Sequence, residues 1–93
     1  KKIKFKKLIS VRANLFSRDH VNNIHPQHLD HNYDHKVLLY YVNSTNGGTL
    51  LDKKITIECI QNRALFMNGD VWHSSIAQTN TKYRVGINIG YIE

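Results

Sequence analysis

Residues His25 to His35 read HPQHLDHNYDH, four histidines and two aspartates within eleven positions. Only two further histidines, His20 and His73, occur in the chain. Imidazoles and carboxylates ligate divalent transition metals, so the chemical question is which of these side chains can meet on one ion. A helical reading puts Pro26 at the first position and His31 and His35 four apart on one face, a spacing able to chelate zinc. The segment, however, contains His-Asn-Tyr-Asp, poor helix formers, and runs straight into a strand-like apolar sequence. No glutamate lies between these histidines, so a hydrolytic zinc helix would lack its base.

An extended reading serves better. His28 and Asp30 are alternate residues, and the period of two at a strand end puts both side chains on one face. A third ligand must then come from far along the chain. His73 fits, lying after the turn Asn68-Gly69-Asp70 and before the last strand. Two imidazoles and one carboxylate make a facial triad that leaves three positions of an octahedral ion open. That is the arrangement of non-haem Fe(II) oxygenases, whereas structural zinc is four-coordinate and closed. Such a triad arises often by chance, so its support lies in what accompanies it. Arg84, eleven residues after His73, is suited to a bidentate salt bridge with a small dicarboxylate. Tyr41 offers a hydroxyl to the same group. The plainer alternatives are a surface charge for Arg84 and core or rim packing for Tyr40 and Tyr41.

These residues need strands to position them, and the chain reads as all-β. Lys7 to Leu15 alternates loosely, and Lys36 to Asn43 (KVLLYYVN) is a nearly continuous apolar run that predicts a buried central strand. Ile55 to Ile60 alternates again, Ala64 to Met67 is a short apolar run, and Tyr83 to Ile92 alternates strictly through Val85, Ile87, Ile89 and Tyr91. Asn46-Gly47-Gly48 and Asn68-Gly69-Asp70 are turn signals. There is no internal repeat, no low-complexity segment and no amphipathic helix pattern. Short strands separated by frequent turns predict a sandwich or barrel.

Ninety-three residues predict one domain, 1–93, with a thin stability margin. No apolar run approaches the roughly 18 residues that span a membrane, and KKIKFKKLIS lacks the apolar segment of a signal peptide. The single cysteine, Cys59, excludes an intrachain disulfide, reads as a small apolar filler of a strand, and points to the cytoplasm. The net charge of +6 raises the option of a basic, nucleic-acid-associated protein. Five of the thirteen basic residues, though, are Lys1, Lys2, Lys4, Lys6 and Lys7, alternating with Ile3 and Phe5 as in a solvated edge strand.

The order His28-Leu29-Asp30, LLYYVN (38–43), Asn46-Gly47-Gly48-Thr49, NRALFMNGDVWHSS (62–75) and YRVGINIGY (83–91) resembles the Fe(II)/2-oxoglutarate-dependent dioxygenases. The likeness is greatest to their prolyl-4-hydroxylase-like branch, including small phage and marine bacterial members. It covers residues 8 to 91, and its specificity lies in the combination of the pieces.

The resemblance implies a double-stranded β-helix, a jelly-roll barrel with iron at its mouth. It implies that His28, Asp30 and His73 ligate Fe(II), and that Arg84, assisted by Tyr41, binds the C5 carboxylate of 2-oxoglutarate. A further polar contact to the co-substrate comes from an early strand, where Asn14 is the candidate and Arg12 the second. Gly86 departs from the pattern, since many relatives carry serine there, which costs one hydrogen bond but leaves the salt bridge. The implied reaction couples decarboxylation of 2-oxoglutarate to succinate with hydroxylation of an unactivated C–H bond by dioxygen, with ascorbate as an accessory reductant. Ligation needs ionised Asp30 and neutral imidazoles, so activity falls at acid pH. Trp72, beside His73, would wall the cavity or simply pack in the core. His31 and His35 are expected as solvated loop residues near the mouth, and neither His25 nor His20 receives a role. Relatives carry extra N-terminal helices, so the chain also reads as a truncated fragment. A non-catalytic metal-binding barrel remains the alternative. No motif names the prime substrate, whether a prolyl or other peptidyl residue, a nucleic acid or a metabolite.

Overall fold

The computed structural model describes residues 6–93, which form seven strands and no helix. They are β1 (Lys7–Ser17), β2 (Lys36–Tyr41), β3 (Gly48–Leu51), β4 (Ile55–Glu58), β5 (Ala64–Asn68), β6 (His73–Ile76) and β7 (Tyr83–Ile92). All pairings are antiparallel and fall into two sheets, in the orders β1-β7-β2-β5 and β4-β3-β6. The apolar run read as a central strand is β2, which lies between β7 and β5, with Val37 and Tyr41 buried.

Most of the lysine-rich alternation, residues 1–5, lies outside the described residues. Lys7 opens β1, and β1 is an edge of its sheet, paired only to β7. Two strands were not foreseen. Both β3 (GTLL) and β6 (HSSI) have four residues, too few for a pattern to register, and β6 carries serines where a core strand would carry aliphatics.

The two sheets face each other, and the register of the larger one lays its inner face out in rows. Phe16 pairs with Arg84; Asn14, Gly86 and Tyr41 form the next row, then Arg12, Asn88 and Leu39, then Ser10, Gly90 and Val37. On the facing sheet Thr49 pairs with Ser75 and Leu51 with His73. Between β1 and β2 the chain crosses to the free side of β6. His25 N donates to Ser75 O at 2.9 Å, and bridges join Ile24 to Ile76 and His28 to His73. Pro26 has no N–H to give, which is why this crossing is an interrupted strand at a sheet edge.

The interior is more polar than a domain of this size usually allows. Fully buried apolar side chains are Val37, Tyr41, Cys59, Ala77 and Tyr91, while His35, Thr49, His73, Ser74, Gln78, Arg84 and Asn88 are buried beside them. The aliphatic alternation of β7 points the other way. Val85, Ile87 and Ile89 pair with Leu15, Ala13 and Val11 on the outer face, where Leu15 is 64% exposed and Val11 56%.

Candidate metal centre and anion pocket

His28 and His73, forty-five residues apart in sequence, are direct cross-strand partners. His28 N donates to His73 O at 2.9 Å and His73 N to His28 O at 3.1 Å, which fixes both side chains on one face. Their rings lie 4.4 Å apart, tilted by 56°. Asp30, two residues past His28, brings its Oδ1 to 3.3 Å from Nε2 of each histidine. One ligand atom from each of the three residues lies within 4.8 Å of the others, a group able to hold a metal ion.

The donor chemistry fits a metal. His73 Nδ1 donates to the Val71 carbonyl at 3.1 Å, so Nε2 is the nitrogen turned to Asp30: protonated it donates to the carboxylate, and neutral it offers its lone pair to an ion. The hydrogen bond from His73 holds the Asp30 carboxyl far below its ordinary range, reinforced by Asn88 and opposed by burial. Burial pulls the His73 pKa down, but the hydrogen bond and charge of Asp30 and the Val71 carbonyl together outweigh it, leaving a net rise. Asp30 and His73 side chains are almost wholly buried, whereas that of His28 is 53% exposed, so the centre opens to solvent on the His28 side.

The same cavity, about 300 Å³, extends from this triad to Arg84, and Tyr41, Asn14 and Arg12 line it as well. Arg84 is 4% exposed. Its guanidinium stacks over the Phe16 ring at 4.1 Å, donates to Ser75 Oγ, and reaches Gly48 O at 3.4 Å. Its Nε is buried without a hydrogen-bond partner, and among the described residues no carboxylate pairs with it. Burial lowers its pKa, and the nearest acidic neighbours are the weak acids Cys59 and Tyr41. The Tyr41 hydroxyl shares a hydrogen bond of 2.6 Å with Thr49 Oγ1, and burial raises its pKa. An arginine buried in this way is expensive for the fold and complementary to an anion.

The six residues expected to form the site thus line one cavity. Other expectations are corrected. His35 is not a solvated loop residue: it is 3% exposed, its ring stands over Gly69, and its Nδ1 donates to Tyr33 O at 2.7 Å. His31 is half-buried against Gly90, with an Nε2 that meets no partner, and neither histidine lines the cavity. Trp72 neither walls the cavity nor packs in a core. It is 45% exposed, because strand alternation sends it away from the face His73 occupies.

His25 does line the mouth, although nothing in its type or spacing assigned it there. Cys59 is the buried filler expected, yet it sits beside Arg84. A Cβ on Gly86 would meet only Tyr40 O at 3.6 Å, so serine would fit there, but the hydroxyl on Arg84 comes instead from Ser75 of the facing sheet. Asn88, whose Nδ2 donates to Asp30 Oδ2 at 3.1 Å, was missed. Its position four residues past Arg84 on an alternating strand was the available signal.

No protein-family model and no curated protein matches this sequence. Two solved structures share its architecture. A cupin protein from Bacteroides fragilis aligns over 88% of this chain with a TM-score of 0.66 and 16% identity. This chain spans 64% of that protein's length. An RmlC-like cupin protein from Desulfovibrio desulfuricans aligns over 95% of this chain and 88% of its own, with a TM-score of 0.56 and 15% identity. With its all-β antiparallel sheets, the chain has the double-stranded β-helix, or cupin-like jelly-roll, fold.

Proposed function

We propose that this protein is an Fe(II)- and 2-oxoglutarate-dependent dioxygenase that hydroxylates an unactivated C–H bond. One observation carries the reading: a buried arginine, without a carboxylate partner among the described residues, shares a cavity with an open His-Asp-His centre. A dicarboxylate suits that pairing, because one end can neutralise the arginine while the other reaches the metal.

In this reading His28, Asp30 and His73 hold the ion and leave positions free for ligands. Arg84, already gripped by Ser75 and stacked on Phe16, takes the far carboxylate of 2-oxoglutarate without having to be ordered on binding. Tyr41 adds a hydroxyl, which Thr49 orients. Asn14, one row nearer the metal, supplies a further polar contact, with Arg12 the alternative. Bound Fe(II) supplies the redox chemistry, by which dioxygen, 2-oxoglutarate and the substrate C–H become succinate, carbon dioxide and an alcohol, with ascorbate as accessory reductant. Leu39 and Phe16 give the cavity apolar walls that limit water.

A second reading is a metal-binding cupin module that holds a small anion without turnover. The 53% exposure of the His28 side chain favours it, since a ligand so open to water is poorly shielded for oxidative chemistry. Anaerobic loading with Fe(II) and 2-oxoglutarate, followed by oxygen, separates the two through succinate release. Uncoupled succinate formation that disappears in His28→Ala supports the dioxygenase. Binding of both without succinate supports the module, and failure to bind either removes both readings.

A further inference from the structure

Asn88 lies on β7 between Arg12 of β1 and Leu39 of β2, on the inner face, and is 6% exposed. Its Nδ2 donates to Asp30 Oδ2 at 3.1 Å, while the other carboxylate oxygen, Oδ1, stands 3.3 Å from Nε2 of both His28 and His73. The two oxygens of Asp30 are therefore divided between two tasks. The amide orientation follows from chemistry, since an ionised carboxylate only accepts and only the NH₂ end of Asn88 can satisfy it. Asn88 Oδ1 is left buried with no hydrogen-bond partner. Leucine, of similar volume, would remove the orphaned acceptor but would leave Asp30 Oδ2 without its donor.

We propose that Asn88 is a positioning residue for the metal centre: by occupying Oδ2 it holds Asp30 as a one-oxygen ligand, with Oδ1 turned to the two imidazoles. A carboxylate freed of that bond can rotate or offer both oxygens to the ion, closing a position that the site needs open. The inference rests on the triad holding a metal, but not on 2-oxoglutarate or on turnover.

The test uses the metal-free protein titrated with Co(II), in the unsubstituted form and as Asn88→Leu and Asn88→Ala. Dissociation constants come from calorimetry, the visible Co(II) spectrum is recorded at saturation, and metal-free melting temperatures report on the fold. Asn88→Leu is expected to keep the metal-free fold, with a melting temperature lowered by no more than the loss of one hydrogen bond explains, yet to bind Co(II) roughly 10–100-fold more weakly, the usual cost of losing a partner behind a ligand. Its spectrum should also shift as the coordination number changes. Binding within threefold in both variants, with an unchanged spectrum, would overturn the proposal. So would loss of the metal-free fold in both, which would make the amide a structural element. Failure of the unsubstituted protein to bind Co(II) would instead remove the metal reading beneath it.

Discussion

The two faces of the β1-β7-β2-β5 sheet use the same strands for opposite ends. The inner face carries Arg12, Asn14, Arg84, Asn88, Tyr41 and two glycines, and it borders the cavity. The outer face carries Val11, Ala13, Leu15, Val85, Ile87, Ile89, Leu38, Tyr40 and Phe66, and it is mainly apolar, with Lys36 and Asn68 paired at one end. In an ordinary sandwich the aliphatic face would be the buried one. Here the polar face is enclosed, and Leu15 and Val11 remain more than half exposed. The inner face gives up apolar packing to hold side chains that the fold alone does not need. A buried arginine that pairs with no carboxylate among the described residues and an acid between two imidazoles make sense as the two ends of a ligand site. Substitutions on the inner face should therefore change binding far more than stability, and those on the outer face should change neither much.

The largest effect expected is at the triad. His73→Ala should abolish binding of Fe(II) or Mn(II) by calorimetry, because it removes a ligand, the cross-strand ring partner of His28 and the proton donor to Asp30. Retained tight binding would mean that the metal sits elsewhere and that the inner face is only a polar core. Next is Arg84→Met. Loss of the buried charge should raise the 2-oxoglutarate requirement by about 100-fold or more, corresponding to roughly 3 kcal/mol for a desolvated charge pair, while metal affinity changes by less than about threefold. Without co-substrate the variant should be as stable as the unsubstituted protein or more so, since replacing an uncompensated buried ion by an apolar side chain is often neutral or favourable by about 1 kcal/mol. A marked fall in its melting temperature would show Arg84 to be a structural residue.

A pH series sharpens the contrast. The Asp30 pKa is depressed from 3.8, so its contribution to stability is present above that value and is lost as pH falls through its lower folded pKa. The His73 pKa is raised from 6.5, so its contribution is complete below 6.5 and is lost as pH rises through its folded pKa. The metal-free protein should thus draw most stability from this pair between those two reference values and soften above 6.5. Metal should reverse the trend, because ligation requires neutral imidazole. Melting curves with and without Mn(II) test it, and a metal-free melting temperature that does not fall above 6.5 in the unsubstituted protein, or that falls as far in Asp30→Asn, would remove the coupling. The smallest effect is expected on the outer face. Leu15→Ser should alter stability by about 0.5 kcal/mol or less and leave metal binding unchanged, as for surface positions generally. A large loss in a thermal melt would mean that this face is packed in solution.

Much of the site could be read from residue types and parity. His28 and Asp30 share a face because they are alternate residues in extended chain. Arg84 stands out by its place on the last strand, eleven residues after His73. The strand assignments failed where side chains face the cavity: His73-Ser74-Ser75-Ile76 has no apolar alternation, since its inward residues serve the site and not a core. Asn88 carries little signal because its neighbours Ile87 and Ile89 mark the other face as the apolar one. His31 and His35 are loop residues as expected but not solvated ones, because only the fold supplies the glycines, Gly90 and Gly69, against which their rings lie.

By itself, then, the sequence determined the chemistry available: two imidazoles, a carboxylate and an arginine, in a chain that reads as all-β. Tertiary structure decided which groups meet. The His28–His73 pairing and the Asn88–Asp30 hydrogen bond join residues distant in the chain, and the loan of Ser75 to Arg84 joins one sheet to the other. It also decided which face of the large sheet is enclosed, because alternation fixes only that two residues share a face. Which face closes depends on where the second sheet crosses, and that is set by pairings between strands whose separation in sequence carries no local signal.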